Sequence, residues 1–285
     1  MSPKSSSGRR GLPDAPDPLP IDVVDNHAHL DITREGDEPF PIEDAVARAG
    51  AVGVSRIVQV GCDLDGIDFT MGVIEKFPQI VGAIALHPNE VPKLADAGRL
   101  AAAYETMERH ATHPRIRAIG ETGLDYYWTG PEGRGVQQDG FRWHIDLAKR
   151  TGRALQIHDR DAHADVLRIL EEEGAPERTV LHCFSGDLEM ARECVARGYY
   201  LSFAGTVTFK NARELRDALS VTPLEQVLVE TDAPYLTPMP HRGATNASYL
   251  VPLTIRAMAG VLAVDVPTLC RVVSDNSERV YGPWS

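Results

Sequence analysis

The chain has 285 residues, 43% hydrophobic and 25% charged, with a formal net charge of −12. This is a globular composition with material for a sizeable core, and no run of about 18 apolar residues reads as a membrane span. The acidity argues against a broad phosphate-binding surface, although bound divalent cations can reverse the sign of the field inside a cleft and leave a phosphodiester substrate open.

Residues 1–20 are rich in Ser, Pro and Gly and lack the apolar region of a signal peptide, so they read as a flexible tail ahead of a single domain over 21–285. Arg9-Arg10 hints at a twin-arginine signal, but a Pro/Asp run follows it. Cys62, Cys183, Cys194 and Cys270 form no CxxC pair, which predicts reduced thiols in a cytoplasm.

Eight short apolar runs follow the tail: 22–28, 56–61, 80–87, 116–121, 154–158, 179–184, 199–205 and 227–232. They are rich in Val, Ile and Leu with little alternation, as parallel strands covered on both faces require. Between them lie helical stripes: Ile67, Met71 and Ile74; Leu100, Tyr104 and Met107; Phe141, His144, Ile145 and Ala148; Leu188, Ala191 and Val195. Such stripes are faces packed on a sheet, so His144 is assigned no chemistry. Residues 250–282 read as closing helices. The pattern predicts an α/β fold, a single-domain (β/α)8 TIM barrel. An open doubly wound sheet is the alternative, but its Gly-rich phosphate turn is missing after the first strand.

Five of the ten histidines fall at or near predicted strand C-terminal ends: His27 and His29 on the first strand, His87 on the third, His158 on the fifth and His182 on the sixth. Glu121 ends the fourth strand and Asp232 the eighth. Each signal alone has a plain reading as a rim hydrogen bond, a cap or a turn. Catalytic groups of a TIM barrel sit at that same end, however, and coincidence is a poor account of so many. His27 and His29, two apart on a strand, share one face. Closure makes strands one and eight neighbours, so His27, His29 and Asp232 can converge on one cation. His158 and His182, from adjacent strands, can hold a second, with Glu121 bridging. Cations about 3.5–4 Å apart with open positions are the arrangement that hydrolyses phosphodiesters.

The segments HAHLD (27–31), LHP (86–88), IGETGLDY (119–126), IHDRDA (157–162), HCFSG (182–186) and ETDAPYL (230–236) resemble, in order and spacing, the TatD family of metal-dependent deoxyribonucleases. The likeness covers about residues 22–282. It implies an amidohydrolase-like TIM barrel, a dinuclear site with His27, His29, Glu121, His158, His182 and Asp232 as ligands, and DNA hydrolysis, often as a 3′-to-5′ exonuclease. Two departures stand out. Residues 243–248 read GATNAS, where the family pattern resembles G-x-R-N-E-P, and Asp159 adds a negative charge where a small polar residue is usual.

The mechanism expected from this set is metal-assisted phosphodiester hydrolysis, with Asp232 accepting a proton from water and Glu121 setting the metal spacing. His87 would contact phosphate or the leaving oxygen, or serve only as a rim residue. Arg160 and Lys210 lie past strands five and seven and could bind phosphate, with solvated charge as the plain reading. Tyr126, Tyr127 and Trp128 could stack bases of a single strand or pack the loop on the barrel. Two divalent ions (Zn, Mn or Mg) are expected, with DNA as partner and a monomer as the default. The alternatives are an amide, ester or lactone hydrolase of the same fold, and a metal-binding quality-control partner without turnover.

Overall fold

The computed structural model describes residues 11–284. Its eight strands are β1 (Val23–Ala28), β2 (Val54–Gly61), β3 (Ile80–Ile84), β4 (Ile116–Asp125), β5 (Ala154–Arg160), β6 (Thr179–Leu181), β7 (Tyr200–Phe203) and β8 (Val227–Val229). They lie parallel in sequential order in one sheet. The ring closes where β8 returns to β1: Ala28 and Ala233 form a parallel bridge, Asp232 N–H donates to His27 O at 2.9 Å and His29 N–H to Ala233 O at 2.8 Å. The (β/α)8 barrel expected from the alternation of apolar runs is the fold observed.

The helices among the described residues are α1 (Ile42–Ala51), α2 (Leu64–Lys76), α3 (Glu90–Asp96), α4 (Leu100–Ala111), α5 (Pro131–Thr151), α6 (His163–Glu173), α7 (Leu188–Ala196), α8 (Arg213–Val221), α9 (Val251–Leu262) and α10 (Val266–Tyr281). Side-chain N-caps start three of them: Asp63 accepts from Gly66 N–H, Asp187 from Met190 N–H and Asp265 from Thr268 N–H, at 2.7–2.9 Å. None of these helices is by itself long and apolar enough to cross a membrane. The stripe expected on α7 is offset: Met190, Ala191 and Cys194 are its buried residues, whereas Leu188 and Val195 only flank them. His144 of α5 is a core residue, as expected. Its Nε2 accepts from Leu86 N–H at 3.1 Å and its Nδ1 faces Gly140 O at 2.7 Å.

Strand side chains sort into two layers. Val58, Val60, Val81, Ala83, Ala118, Ala154 and Val180 pack together with Val24 and Leu228, and Tyr281 and Trp284 join this group. Ile57, Ile80, Ile84, Ile116, Ile119 and Leu155 pack in the larger cluster shared with the helices. Truncating one of these buried isoleucines to Ala would cost about 2–5 kcal/mol. The C-terminal segment reaches strand N-terminal ends, where Trp284 Nε1 donates to Gln79 O at 3.0 Å and Arg115 reaches Trp284 O at 3.2 Å. The opposite end is left for chemistry.

The tail expected over residues 1–20, Arg9-Arg10 included, lies outside the described residues for its first ten. Its second half rests on the barrel. Tyr249 Oη donates to Pro13 O at 2.6 Å, Arg256 binds Asp17 O at 2.7 Å, and Leu19 is buried with its N–H on Val52 O.

Candidate metal centre

Two local irregularities aim the donors. Asp25 pairs with Ile57 and Ala28 with Gln59, so β1 spends three residues where β2 spends two. Likewise Ile119 pairs with Leu155 and Thr122 with Ile157 across β4 and β5. One extra residue reverses which side chains face inward. Val24 and Ala118 lie in the inner layer before the bulges, and His27 and Glu121 turn towards the mouth after them. Gly123 then lets β4 lie close on β5: with φ at +133°, a Cβ there would sit 2.0 Å from His158 O. That approach brings Glu121 against His158.

The carboxylate of Glu121 divides the cluster. Its Oε1 lies 2.5 Å from His158 Nδ1 and 2.7 Å from His182 Nε2. Its Oε2 lies 3.5 Å from His27 Nε2 and 3.6 Å from His29 Nε2. Asp232 Oδ1 completes the second group, 3.9 Å from His27 Nε2 and 3.5 Å from His29 Nε2. All six residues proposed as ligands from the sequence therefore meet at one mouth. His182 and Asp232 sit just past their strands rather than in them, and Asp232 holds a left-handed φ of 56°.

Neighbouring groups fix the rings. His29 Nδ1 faces Val60 O at 3.0 Å, which puts its proton on Nδ1 and a lone pair on Nε2. That lone pair points at His27 Nε2, 3.2 Å away. A proton on His27 Nε2 donated to it accounts for this contact; without that proton the two buried rings offer both lone pairs to one cation, and the mixed imidazole and carboxylate donors suit a divalent one. His182 stacks on His27 with centroids 3.9 Å apart, and its Nδ1 contacts Glu230 Oε1 at 3.2 Å. Asp125 Oδ2 lies 3.3 Å from His158 Nε2. Burial pushes the Glu121 carboxyl up, but His182 and His158 outweigh it and hold it well below its usual range. Burial pushes His182 down, and Glu121 and Glu230 overcome that to raise it well above an ordinary histidine. His27 goes the other way, lowered by burial and by the neighbouring His182.

The remaining predicted residues are placed more loosely. His87 Nδ1 accepts from Asn89 N–H at 3.1 Å, so its Nε2 carries the proton, 3.7 Å from Glu121 Oε1. Burial pushes His87 down to about 3, which keeps it neutral. Arg160 lies over the Tyr127 ring, 3.9 Å from its centroid. Lys210 is exposed beyond β7, its carbonyl accepting from Arg216. Tyr126 packs, with its hydroxyl on Asp165 at 2.7 Å, whereas Tyr127 and Trp128 are 56% and 69% exposed. Asp159 does not bring a bare negative charge: its Oδ2 pairs with His163 Nδ1 at 2.8 Å. The altered 243–248 loop is tied down by Asn246, which donates to Thr231 O and Tyr235 O, and by Arg34 on Ala244 O.

Three residues of the site carry no role in the sequence reading. Asp125 and Glu230 are the carboxylates behind His158 and His182, and only their place in GLD and ETD, beside donor carboxylates, marked them. Cys62 lies 3.4 Å from Glu121 Oε2. No spacing signal points to it.

A parallel barrel that gathers histidines and carboxylates at the C-terminal mouth defines a metal-dependent hydrolase. The model of the TatD-related DNases matches residues 24–282. An uncharacterized metal-dependent hydrolase TatD of Mycobacterium tuberculosis is 46% identical over 267 residues, 91% of this chain and 98% of its own. The uncharacterized metal-dependent hydrolase YcfH of Escherichia coli K12 is 38% identical over 260 residues, 91% of this chain and 95% of its own. Among solved structures, the TatD homolog YjjV of Escherichia coli K12 shares the fold, with a TM-score of 0.81 at 24% identity over 92% of this chain and 98% of that one. The chain belongs to the TatD family.

Proposed function

We propose that the protein hydrolyses phosphodiester bonds of single-stranded DNA, as a 3′-to-5′ exonuclease, with one divalent cation held by His27, His29 and Asp232, a second by His158 and His182, and Glu121 shared between them. The observation that carries this reading is the split of Glu121, with Oε1 given to one histidine pair and Oε2 to the other. Bound there, divalent cations supply positive charge for the phosphoryl oxygens and an acidified water. Asp232 accepts the proton of the attacking water; its carboxyl is pushed up by burial but held below its usual value by His29 and His27, which keeps it ionised. The neutral His87 donates its Nε2 proton as a hydrogen bond to a phosphoryl or leaving oxygen. Asp125 and Glu230 hold the rings of His158 and His182 in place.

Substrate class is supported by where apolar surface is left exposed. Tyr127, Trp128 and Tyr235 are the large hydrophobics exposed among the described residues. Tyr127 and Trp128 follow β4 and Tyr235 follows β8, half a turn apart in an eight-stranded ring. Tyr235 lies 6.5 Å, centroid to centroid, from His29. Unpaired bases on either side of the scissile phosphate would stack on these rings, with Arg160 and Lys210 meeting the flanking phosphates.

The test is Glu121→Gln, assayed on single-stranded DNA and on small carboxylic esters after loading with Mn(II) or Mg(II). The wild type is expected to degrade DNA and leave the esters, and the variant to lose metal and activity together. Full metal content and a wild-type nuclease rate in the variant would remove the bridging role. Ester turnover without DNA turnover in the wild type would move the function to the ester-hydrolase reading.

A further inference from the structure

Cys62 follows the last residue of β2, and its thiol faces the mouth. Its Sγ lies 3.4 Å from Glu121 Oε2, the oxygen that itself faces His27 Nε2 at 3.5 Å and His29 Nε2 at 3.6 Å. A tetrahedral cation with bonds of about 2.0–2.3 Å holds its donors about 3.3–3.8 Å apart. The sulfur–oxygen and oxygen–nitrogen separations fall inside that window. The two imidazole nitrogens stand 3.2 Å apart beside the same space, close enough to share one cation. His29 does not compete for the sulfur, because its Nδ1, 3.8 Å from Sγ, is engaged by Val60 O. The other thiols are placed differently: Cys194 and Cys270 are buried in α7 and α10, and Cys183 follows His182 with its backbone N–H on Glu230 Oε1.

We propose that Cys62 is a further, sulfur donor to the cation held by His27, His29 and Asp232 and shared by Glu121. The subsite is then thiophilic and prefers Zn(II), Co(II) or Cd(II), whereas the His158 and His182 subsite offers only nitrogen and oxygen. As the sulfur–metal bond forms, the thiol proton leaves to solvent and no electron is transferred. This inference rests on the reading of the cluster as a metal centre but not on the identity of the substrate.

The experiment loads metal-free wild type, Cys62→Ser and Cys62→Ala with Co(II), and separately with Cd(II), and records sulfur-to-metal charge-transfer absorption. The wild type is expected to develop the band over one equivalent, and both variants to lack it. By competition titration, Zn(II) affinity at one of the two sites is expected to fall about tenfold or more in the variants. Absence of the band in the wild type, or its persistence in the variants, overturns the proposal. A band in a protein that leaves DNA intact keeps this inference and removes the nuclease reading; DNA cleavage by a wild type without the band does the reverse.

Discussion

His27 Nε2 and His29 Nε2 stand 3.2 Å apart at the mouth of the barrel, on side chains two residues apart in sequence. Both rings are buried, and the carboxylates of Glu121 and Asp232 lie within 3.5–3.9 Å of both. His29→Ala should therefore release one cation without unfolding the barrel. Elemental analysis of dialysed protein is expected to give one ion per chain where the wild type holds two. An unchanged count would show that His29 is a rim residue.

Asp125 does two jobs with one carboxylate. Its Oδ2 lies 3.3 Å from His158 Nε2, while its Oδ1 accepts from Tyr127 N–H at 3.0 Å and Trp128 N–H at 3.1 Å. Burial pushes this carboxyl up, but His158 and the turn amides outweigh it and bring it down to about 2. Asp125→Asn keeps an acceptor for the turn and removes the charge behind the imidazole. Metal affinity at the His158 subsite is expected to fall about 10–100-fold, as for other partners of metal-binding histidines. Calorimetric titration with Mn(II) reads it, and wild-type affinity in the variant would refute the positioning role.

Trp128 is 69% exposed next to that turn, which a packing role does not require. Trp128→Ala is expected to raise KM for a single-stranded oligonucleotide about tenfold, within the range for one stacked base. An otherwise identical strand carrying abasic positions should be much less affected. Equal loss on both strands would mean that the turn has been damaged rather than a stacking surface removed.

His144 gives the fold an acid limit that is separate from the metal centre. Burial pushes it from the ordinary 6.5 down to about 4 against an opposing pull from the Gly140 carbonyl, and its Nε2 accepts from Leu86 N–H only while unprotonated. A folded value below the unfolded one means that its contribution is complete above about pH 6.5 and is lost as pH falls towards 4. The full loss is on the order of 3 kcal/mol. His144→Gln, studied by denaturant unfolding between pH 7 and 4, should show a shallower decline than the wild type. Parallel curves would place the acid sensitivity elsewhere.

Much of this site was legible because a parallel barrel presents its chemistry at one end of every strand. The apolar runs marked the strands, and HAH, IHD, HCF and ETD closed four of them with donors. The bulges in β1 and β4 were not legible: nothing in VVDNHA or AIGETG shows an inserted residue, yet that residue is what turns His27 and Glu121 towards the mouth. Cys62 escaped for a different reason. Its nearness to Glu121 comes from the order β2-β3-β4 and the curvature of the ring, not from any spacing along the chain. On α7, Ala191 is buried as the stripe requires, but Cys194 and Met190 are buried with it in place of Val195 and Leu188.

The sharing of Glu121 between two cations is tested most directly by anomalous diffraction from crystals grown with Mn(II). Two peaks about 3.5–4 Å apart are expected, one against His27, His29 and Asp232, the other against His158 and His182, with a Glu121 oxygen bonded to each. A single peak, or two peaks with Glu121 bound to neither, would contradict it.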